Sequence, residues 1–240
     1  MRIDILTLFP EALAPVLGTS IPGRASAGGA VSYHLHNVRD WTSDKHRTVD
    51  DRPFGGGPGM VMMCQPLHDA VMAVEELDER PACRILMSPQ GERLSQQRVE
   101  DLATRPRLLL IAGHYEGVDE RVIEELEPLE LSIGDYVLSG GEIPCLVLVD
   151  AIVRLLPGVL GHEDSAAADS FAAAGPEGRR LLEGPQYTRP RQWHGRTVPD
   201  VLVSGDHEAV RQWRMRMMLD RTGQRRPDLL EADAPRTTDP

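Results

Sequence analysis

The stretch Ser132–Glu142, SIGDYVLSGGE, sets Gly134, Gly140 and Gly141 around Tyr136, Val137 and Leu138. A second glycine-bracketed stretch, GHYEGVDERV, runs from Gly113 to Val122. An interior glycine costs a helix roughly 1 kcal/mol relative to alanine and also weakens a strand. Placed this way, glycine lets the backbone adopt positive φ or lets another group approach the main chain. Exposed main-chain N–H and C=O groups can then hydrogen-bond a ligand. Each stretch follows an apolar run, Leu108–Ala112 and Leu129–Ile133. The pattern predicts a ligand pocket lined mainly by backbone.

The elements that must position these loops alternate between strand and helix. Strands are expected at Ile3–Leu8, Val31–His36, Arg84–Met87, Leu108–Ala112 and Leu129–Ile133. Helices are expected at Pro10–Gly18, Pro66–Leu77, Ser95–Ala103, Val118–Leu126 and Ile143–Leu156, the last stopped by Pro157 and Gly158. This order predicts an α/β fold with a mostly parallel sheet, which binds ligands at the carboxyl ends of its strands. Both glycine loops fall there. Asn37–Gly59 reads as a long polar segment without regular structure, a length at which loops are commonly functional or disordered. Gly161–Gly178 reads as a flexible linker between a domain at 1–160 and a small helical domain at 179–240. In the latter, Asp206–Arg221 forms an amphipathic helix with Val210, Trp213, Met217 and Met218 on one face, and Ala232–Pro240 a frayed tail.

Composition narrows the function. The 240 residues carry a formal charge of −11, which argues against a nonspecific nucleic-acid coat protein. Yet eleven arginines face five acids between Arg179 and Arg226, and a basic end on an acidic chain suits an anionic macromolecular partner. Lys45 is the only lysine, so arginine-rich coding contributes as well. Cys64, Cys83 and Cys145 lack C-x-x-C spacing and read as buried free thiols in a reducing cytoplasm. No apolar run is long enough to span a membrane, and the N-terminus does not read as a signal peptide. G-x-G-x-x-G, Walker A, H-E-x-x-H and G-x-S-x-G patterns are all absent.

Seven segments together resemble the bacterial tRNA (guanine-N1)-methyltransferases of the TrmD family. They are SPQG (Ser88–Gly91), YEGVDERV (Tyr115–Val122), SIGDYVLSGGE (Ser132–Glu142), HRTVDDRPFGGGPGM (His46–Met60), PGVLGHE with DSF (Pro157–Phe171), YTRP (Tyr187–Pro190) and Leu202–His207. The resemblance implies a SPOUT fold, in which a C-terminal trefoil knot closes the parallel sheet and a small helical domain follows. It implies a cytoplasmic homodimer acting on the anticodon stem-loop of tRNA, with no DNA or membrane partner. The methyl donor would be S-adenosylmethionine, held by Leu86, Met87, Ser88, Pro89, Gly91, Gly113, Tyr115, Glu116, Gly117, Ser132, Ile133, Gly134, Asp135, Tyr136, Val137, Leu138, Gly140, Gly141 and Pro144. No metal ligands are assigned, and a role for magnesium is not legible in the residues.

The reaction makes further demands. Guanine N1 carries a proton at neutral pH, so methylation there needs a base at N1–H and a cation or donor at O6. The resemblance assigns these roles to Asp169 and Arg154. By their own surroundings, Asp169 reads as a helix cap or solvated linker acid and Arg154 as a snorkelling helix arginine. Arg24, His46, Arg47, Asp50, Arg52, Gly59, Ser170, Tyr187, Arg189, Arg191 and Trp193 are candidate RNA or guanine contacts, with structural ion pairing the alternative for the loop charges. The family's target is guanosine 37 preceded by G36. AAAGPEGRR (Ala172–Arg180) looks longer than the family pattern and leaves Arg179 and Arg180 without a role. Two alternatives remain open: another knotted methyltransferase acting on ribose 2′-OH or rRNA, and a non-catalytic RNA-binding module.

Overall fold

The computed structural model describes residues 1–161, 169–172 and 175–230, so the expected tail lies outside the described residues. The chain divides into two compact units, Met1–Gly161 and His162–Pro240. The first contains β1 (Arg2–Thr7), α1 (Pro10–Leu17), α2 (Ser20–Ala27), β2 (Ser32–Asn37), β3 (Asp50–Asp51), β4 (Val61–Met62), α3 (Cys64–Glu75) and β5 (Cys83–Arg93). It continues with α4 (Gln96–Ala103), β6 (Arg107–Ala112), α5 (Glu120–Leu126), β7 (Leu129–Ser132) and α6 (Glu142–Val153). The second unit holds the short hairpin β8 (Gln192–Trp193) and β9 (Arg196–Thr197), then α7 (His207–Arg225).

Five strands form one sheet in the order β2-β1-β6-β5-β7, and every pairing in it is parallel. Successive strand side chains point to opposite faces, so a sheet covered on both sides needs apolar residues in continuous runs. In β6, Leu108, Leu110 and Ala112 pack toward α1, α2, α4 and α6, while Leu109 and Ile111 pack toward α3 and α5. All six residues of β6 are buried. Helix α6 buries Cys145, Leu148, Val149, Ile152 and Val153 in the first of these layers.

Three expectations change. Ser20–Ala27, read as no element, is α2, and its buried Pro22 and Ala25 fix it against the core. The polar segment Asn37–Gly59 is not without structure: Val38 and Val49 are buried in the second layer, and β3 pairs antiparallel with β4. Of the three free thiols only Cys145 is fully buried, since Cys64 and Cys83 are half-buried. Burial, then the Glu142 charge, push the Cys145 thiol up and keep it protonated.

The opposite end of the sheet from the glycine loops is held by charge. Arg107, 1% exposed, donates from Nε to Asp4 at 3.0 Å. It also donates to the carbonyls of Val74, Glu75, Asp78 and Arg80, at the end of α3 and in the turn that follows. Burial pushes the Asp4 carboxyl up, but hydrogen bonds from His36, Arg2 and Arg107 outweigh it and hold the group well below the usual carboxylate range.

In the second unit, Asp206 caps α7 by accepting the Ala209 N–H at 3.0 Å. Val210, Trp213, Met217 and Met218 lie on its half-buried face. Thr222 is buried there and accepts the Leu182 N–H at 2.9 Å. Much of the expected linker lies outside the described residues. Its described part is tied down: Phe171 N–H donates to Leu181 at 2.7 Å, and Ser170 Oγ accepts from Glu183 N–H at 3.0 Å. Among the described residues no helix is long and apolar enough to cross a membrane.

Candidate active site

A cleft of about 280 Å³ opens where β5, β6 and β7 end. Of the nineteen expected cofactor residues, seventeen line it: Leu86, Met87, Ser88, Pro89, Gly113, Tyr115, Glu116, Gly117, Ser132, Ile133, Gly134, Tyr136, Val137, Leu138, Gly140, Gly141 and Pro144. Gly91 and Asp135 do not. Asp135 is exposed and stands 3.9 Å from Arg93, a long ion pair at the surface. Gly91 instead lies with its backbone against Glu130 and Leu131 of β7. Met87 and Glu92 both pair with Leu131, so Ser88–Gly91 is looped out of β5. A Cβ on Gly91 would lie 2.5 Å from the Leu131 backbone nitrogen. The sequence reading ended this strand at Met87 and missed its resumption beyond the loop.

Sequence reasoning also missed Gln90, His114, Val118, Glu120, Ile123, Glu130, Leu131 and Ser139, which line the same cleft. Gln90 and His114 sit inside the motifs already singled out, between residues that were chosen. So does Ser139, and Val118 and Glu120 fall within the Tyr115–Val122 motif, whereas Ile123, Glu130 and Leu131 face the cleft from α5 and β7, where only the fold could place them.

The walls are backbone crossings. The Gly141 N–H donates to the Gly113 carbonyl at 2.7 Å, and a Cβ on Gly141 would lie 2.7 Å from the Ala112 Cα. The two glycine loops therefore touch main chain to main chain. Ser132 Oγ both donates to the Gly134 carbonyl and accepts the Gly134 N–H, at 3.0 and 3.2 Å, which curls the chain into its turn. The Gly113–Gly117 loop is braced from the other side: Glu116 N–H donates to Met60 and Met62 N–H donates to Gly117, both at 2.9 Å. Gly141→Ala is expected to force these crossings apart. The strain should cost about 1–3 kcal/mol of stability and weaken ligand binding in the cleft, as denaturant midpoints and calorimetry would measure.

The polar loop brings Asp50 and Gly59 to this rim. Burial, then a hydrogen bond to Asp50, push the Tyr115 hydroxyl up and keep it protonated. The Glu116 side chain occupies the space a Cβ on Gly59 would need. Arg24, His46 and Arg52 are exposed and do not line the cleft. Arg47 pairs with Asp40, which fits the ion-pair alternative for that residue. Arg154 caps the C-terminus of α6 in the first unit, half-buried. Asp169 and Ser170 belong to the second unit and are half-buried, with the Asp169 carbonyl accepting from Ala172 at 3.2 Å. Tyr187, Arg189 and Arg191 line a cleft of that unit with Arg214, while Trp193 is exposed on β8. Among the described residues, no three His, Cys, Asp or Glu side chains converge as a metal cage.

The family model described as tRNA (Guanine-1)-methyltransferase TrmD matches residues 1–232. The chain belongs to this family. It is similar to proteins named tRNA (guanine-N(1)-)-methyltransferase from several bacteria. That of Rhodopirellula baltica is 52% identical over 96% of this chain and 94% of its own length. That of Chloroflexus aurantiacus is 54% identical over 96% and 88%, and that of Pseudomonas putida 52% over 97% and 90%. Membership makes the chain a tRNA methyltransferase acting at guanine N1, and implies S-adenosylmethionine as the family's donor.

The cleft suits that donor. Adenosylmethionine presents an adenine whose edges main-chain groups can read and whose face apolar side chains can cover. The loops supply both: crossed glycine backbones on one side, and Leu86, Ile133, Tyr136 and Leu138 around them. Glu116, Glu120 and Glu130 add negative charge, which favours a sulfonium and an ammonium group.

Proposed function

We propose that this cleft holds S-adenosylmethionine and that the chain transfers its methyl group to N1 of guanosine 37 of tRNA, next to G36. The observation that carries the reading is the coincidence of the backbone-lined cleft at the ends of β5, β6 and β7 with a family match along nearly the whole chain. Asp169 accepts the N1 proton as the methyl group arrives, and Arg154 stabilises the charge that collects on O6. Gly59 and Asp50 border the cleft and contact the flipped guanine. Ser170, which neighbours Asp169, does so from the second unit. The arginine-lined cleft around Tyr187 and Arg189 holds the anticodon stem-loop through phosphate contacts and stacking.

The enzyme acts as a homodimer. Val137 and Ile143 are 82% and 60% exposed and Val147 is exposed beside them on α6, large apolar side chains that a second copy would cover. The segment from β6 to α6 forms a trefoil knot, a reading supported by the main-chain crossing of Gly141 over Ala112 and Gly113. Domain limits at 1–160 and 179–240 with a linker between them complete the proposal.

Labelled adenosylmethionine with two transcripts tests the central reading. A transcript with G at 36 and 37 should be labelled, and the same transcript with A at 37 should not. Equal labelling of both would instead favour the ribose or rRNA alternative, and binding without labelling the non-catalytic one.

A further inference from the structure

His114 Nδ1 is the only buried side-chain nitrogen or oxygen among the described residues left without a hydrogen bond. Such atoms are uncommon in folded proteins, because burial strips their hydration and nothing replaces it. The Glu142 carboxylate stands close by, with Oε2 at 3.7 Å from Nδ1, just beyond hydrogen-bond length. Its other oxygen is already committed. Oε1 accepts the Thr7 hydroxyl at 2.8 Å, and Thr7 Oγ1 in turn accepts the Phe9 N–H at 2.9 Å. Glu142 is thus anchored to the end of β1. The imidazole stands edge-on to Tyr115 at 5.1 Å and tilted against Phe9 at 5.3 Å.

Gly140 lies between the two groups. A Cβ built on it would collide with both His114 Nδ1 and Glu142 Oε2. The gap between imidazole and carboxylate is therefore the space beside the Gly140 main chain, and Gly140 is part of the cleft wall. Gly140 also bridges to His114 as an isolated antiparallel pair. Any shift of the Gly140 segment when the cleft fills changes the distance between imidazole and carboxylate.

We propose that His114 is a positioning residue for the methyl donor. With the donor bound, Nδ1–H donates to Glu142 Oε2. The closed pair locks the loop from Gly134 to Gly141 onto the end of β6 and, through Thr7, onto β1. A hydrogen bond to a carboxylate is stronger than one between neutral groups, and it satisfies the orphan nitrogen only in the liganded state. Binding energy is thereby coupled to loop order. The inference rests on the reading of the cleft as an adenosylmethionine site.

Calorimetry with S-adenosylmethionine on the full-length protein tests it, using wild type, His114→Ala and His114→Asn. His114→Ala should bind on the order of 10- to 100-fold more weakly, with the loss falling on the cofactor's Kd and KM rather than on kcat. His114→Asn places an amide N–H near the position of Nδ1 and should recover most of the affinity. Two results would overturn the proposal: wild-type affinity in His114→Ala, or an asparagine variant as weak as the alanine one. A wild-type protein that binds no adenosylmethionine would defeat the reading of the cleft itself, a separate outcome. Should His114→Ala fail to fold, nitrogen-15 spectra of the wild-type histidines decide. The His114 Nδ1 proton should become protected on adding S-adenosylhomocysteine, and an unchanged signal would refute the lock.

Discussion

Asp169→Asn should transfer methyl groups about 10²- to 10⁴-fold more slowly than wild type, the range for removing a general base, while binding adenosylmethionine normally. Asparagine keeps the shape of the side chain and its ability to accept a hydrogen bond, but it cannot take the N1 proton. The proposed cofactor cleft is lined only by residues of the first unit, and a change that only removes a base should leave the cofactor Kd unmoved. Single-turnover kinetics separate the two quantities. Turnover within a few-fold of wild type would remove Asp169 from the mechanism, and a matching loss of cofactor affinity would recast it as a binding residue.

The second large effect is on stability. Arg107→Ala should destabilise the first unit by about 3–5 kcal/mol, as expected when one partner of a buried, hydrogen-bonded ion pair is removed. The change takes a donor from Asp4, which is fully buried, and removes at once the guanidinium bonds to the carbonyls of Val74, Glu75, Asp78 and Arg80. Melting should fall on the order of 10 °C. The sign of the acid response follows from Asp4. Its folded pKa is depressed, so its contribution is present above the ordinary carboxylate pKa and is lost as the pH falls through the folded value. Wild type should therefore lose stability in strong acid, and Arg107→Ala should lose less over the same range. Below the melting transition the variant should bind adenosylmethionine with unchanged affinity. Arg107 begins β6, whereas the cleft opens beyond its other end, about 20 Å away at the rise of a strand. A melting shift of only 1–2 °C would show that Arg2 and His36 hold Asp4 without it.

Much of this was legible along the chain, for identifiable reasons. The apolar run of β6 needed no tertiary information, because a strand buried on both faces accepts only such a run. Helix α3 announced itself through Leu67, Ala70, Val71 and Val74 at helical spacing, all four of which are buried. Helix α2 did not, since its sequence SIPGRASA has neither propensity nor periodicity, and packing of Pro22 and Ala25 overrides both. Val38 and Val49 were hidden in a polar segment, where single apolar residues carry no period to detect.

The cleft divides along the same line. Glycine has few uses inside a strand-rich motif, so Gly134, Gly140 and Gly141 by themselves pointed to tight backbone around a ligand, and the ordered motifs supplied the family and its chemistry. Sequence alone determined that a backbone-lined site follows the strands, and which residue types surround it. Tertiary structure decided what each glycine makes room for: Ala112 and Gly113 at Gly141, the Leu131 backbone at Gly91, His114 and Glu142 at Gly140. It also decided that Thr7, His114 and Glu142 meet. These contacts join residues many positions apart, and their distances are set by how helices and strands stack. Local propensity and periodicity extend only a few residues along the chain, so they specify the elements and leave such meetings to the packing.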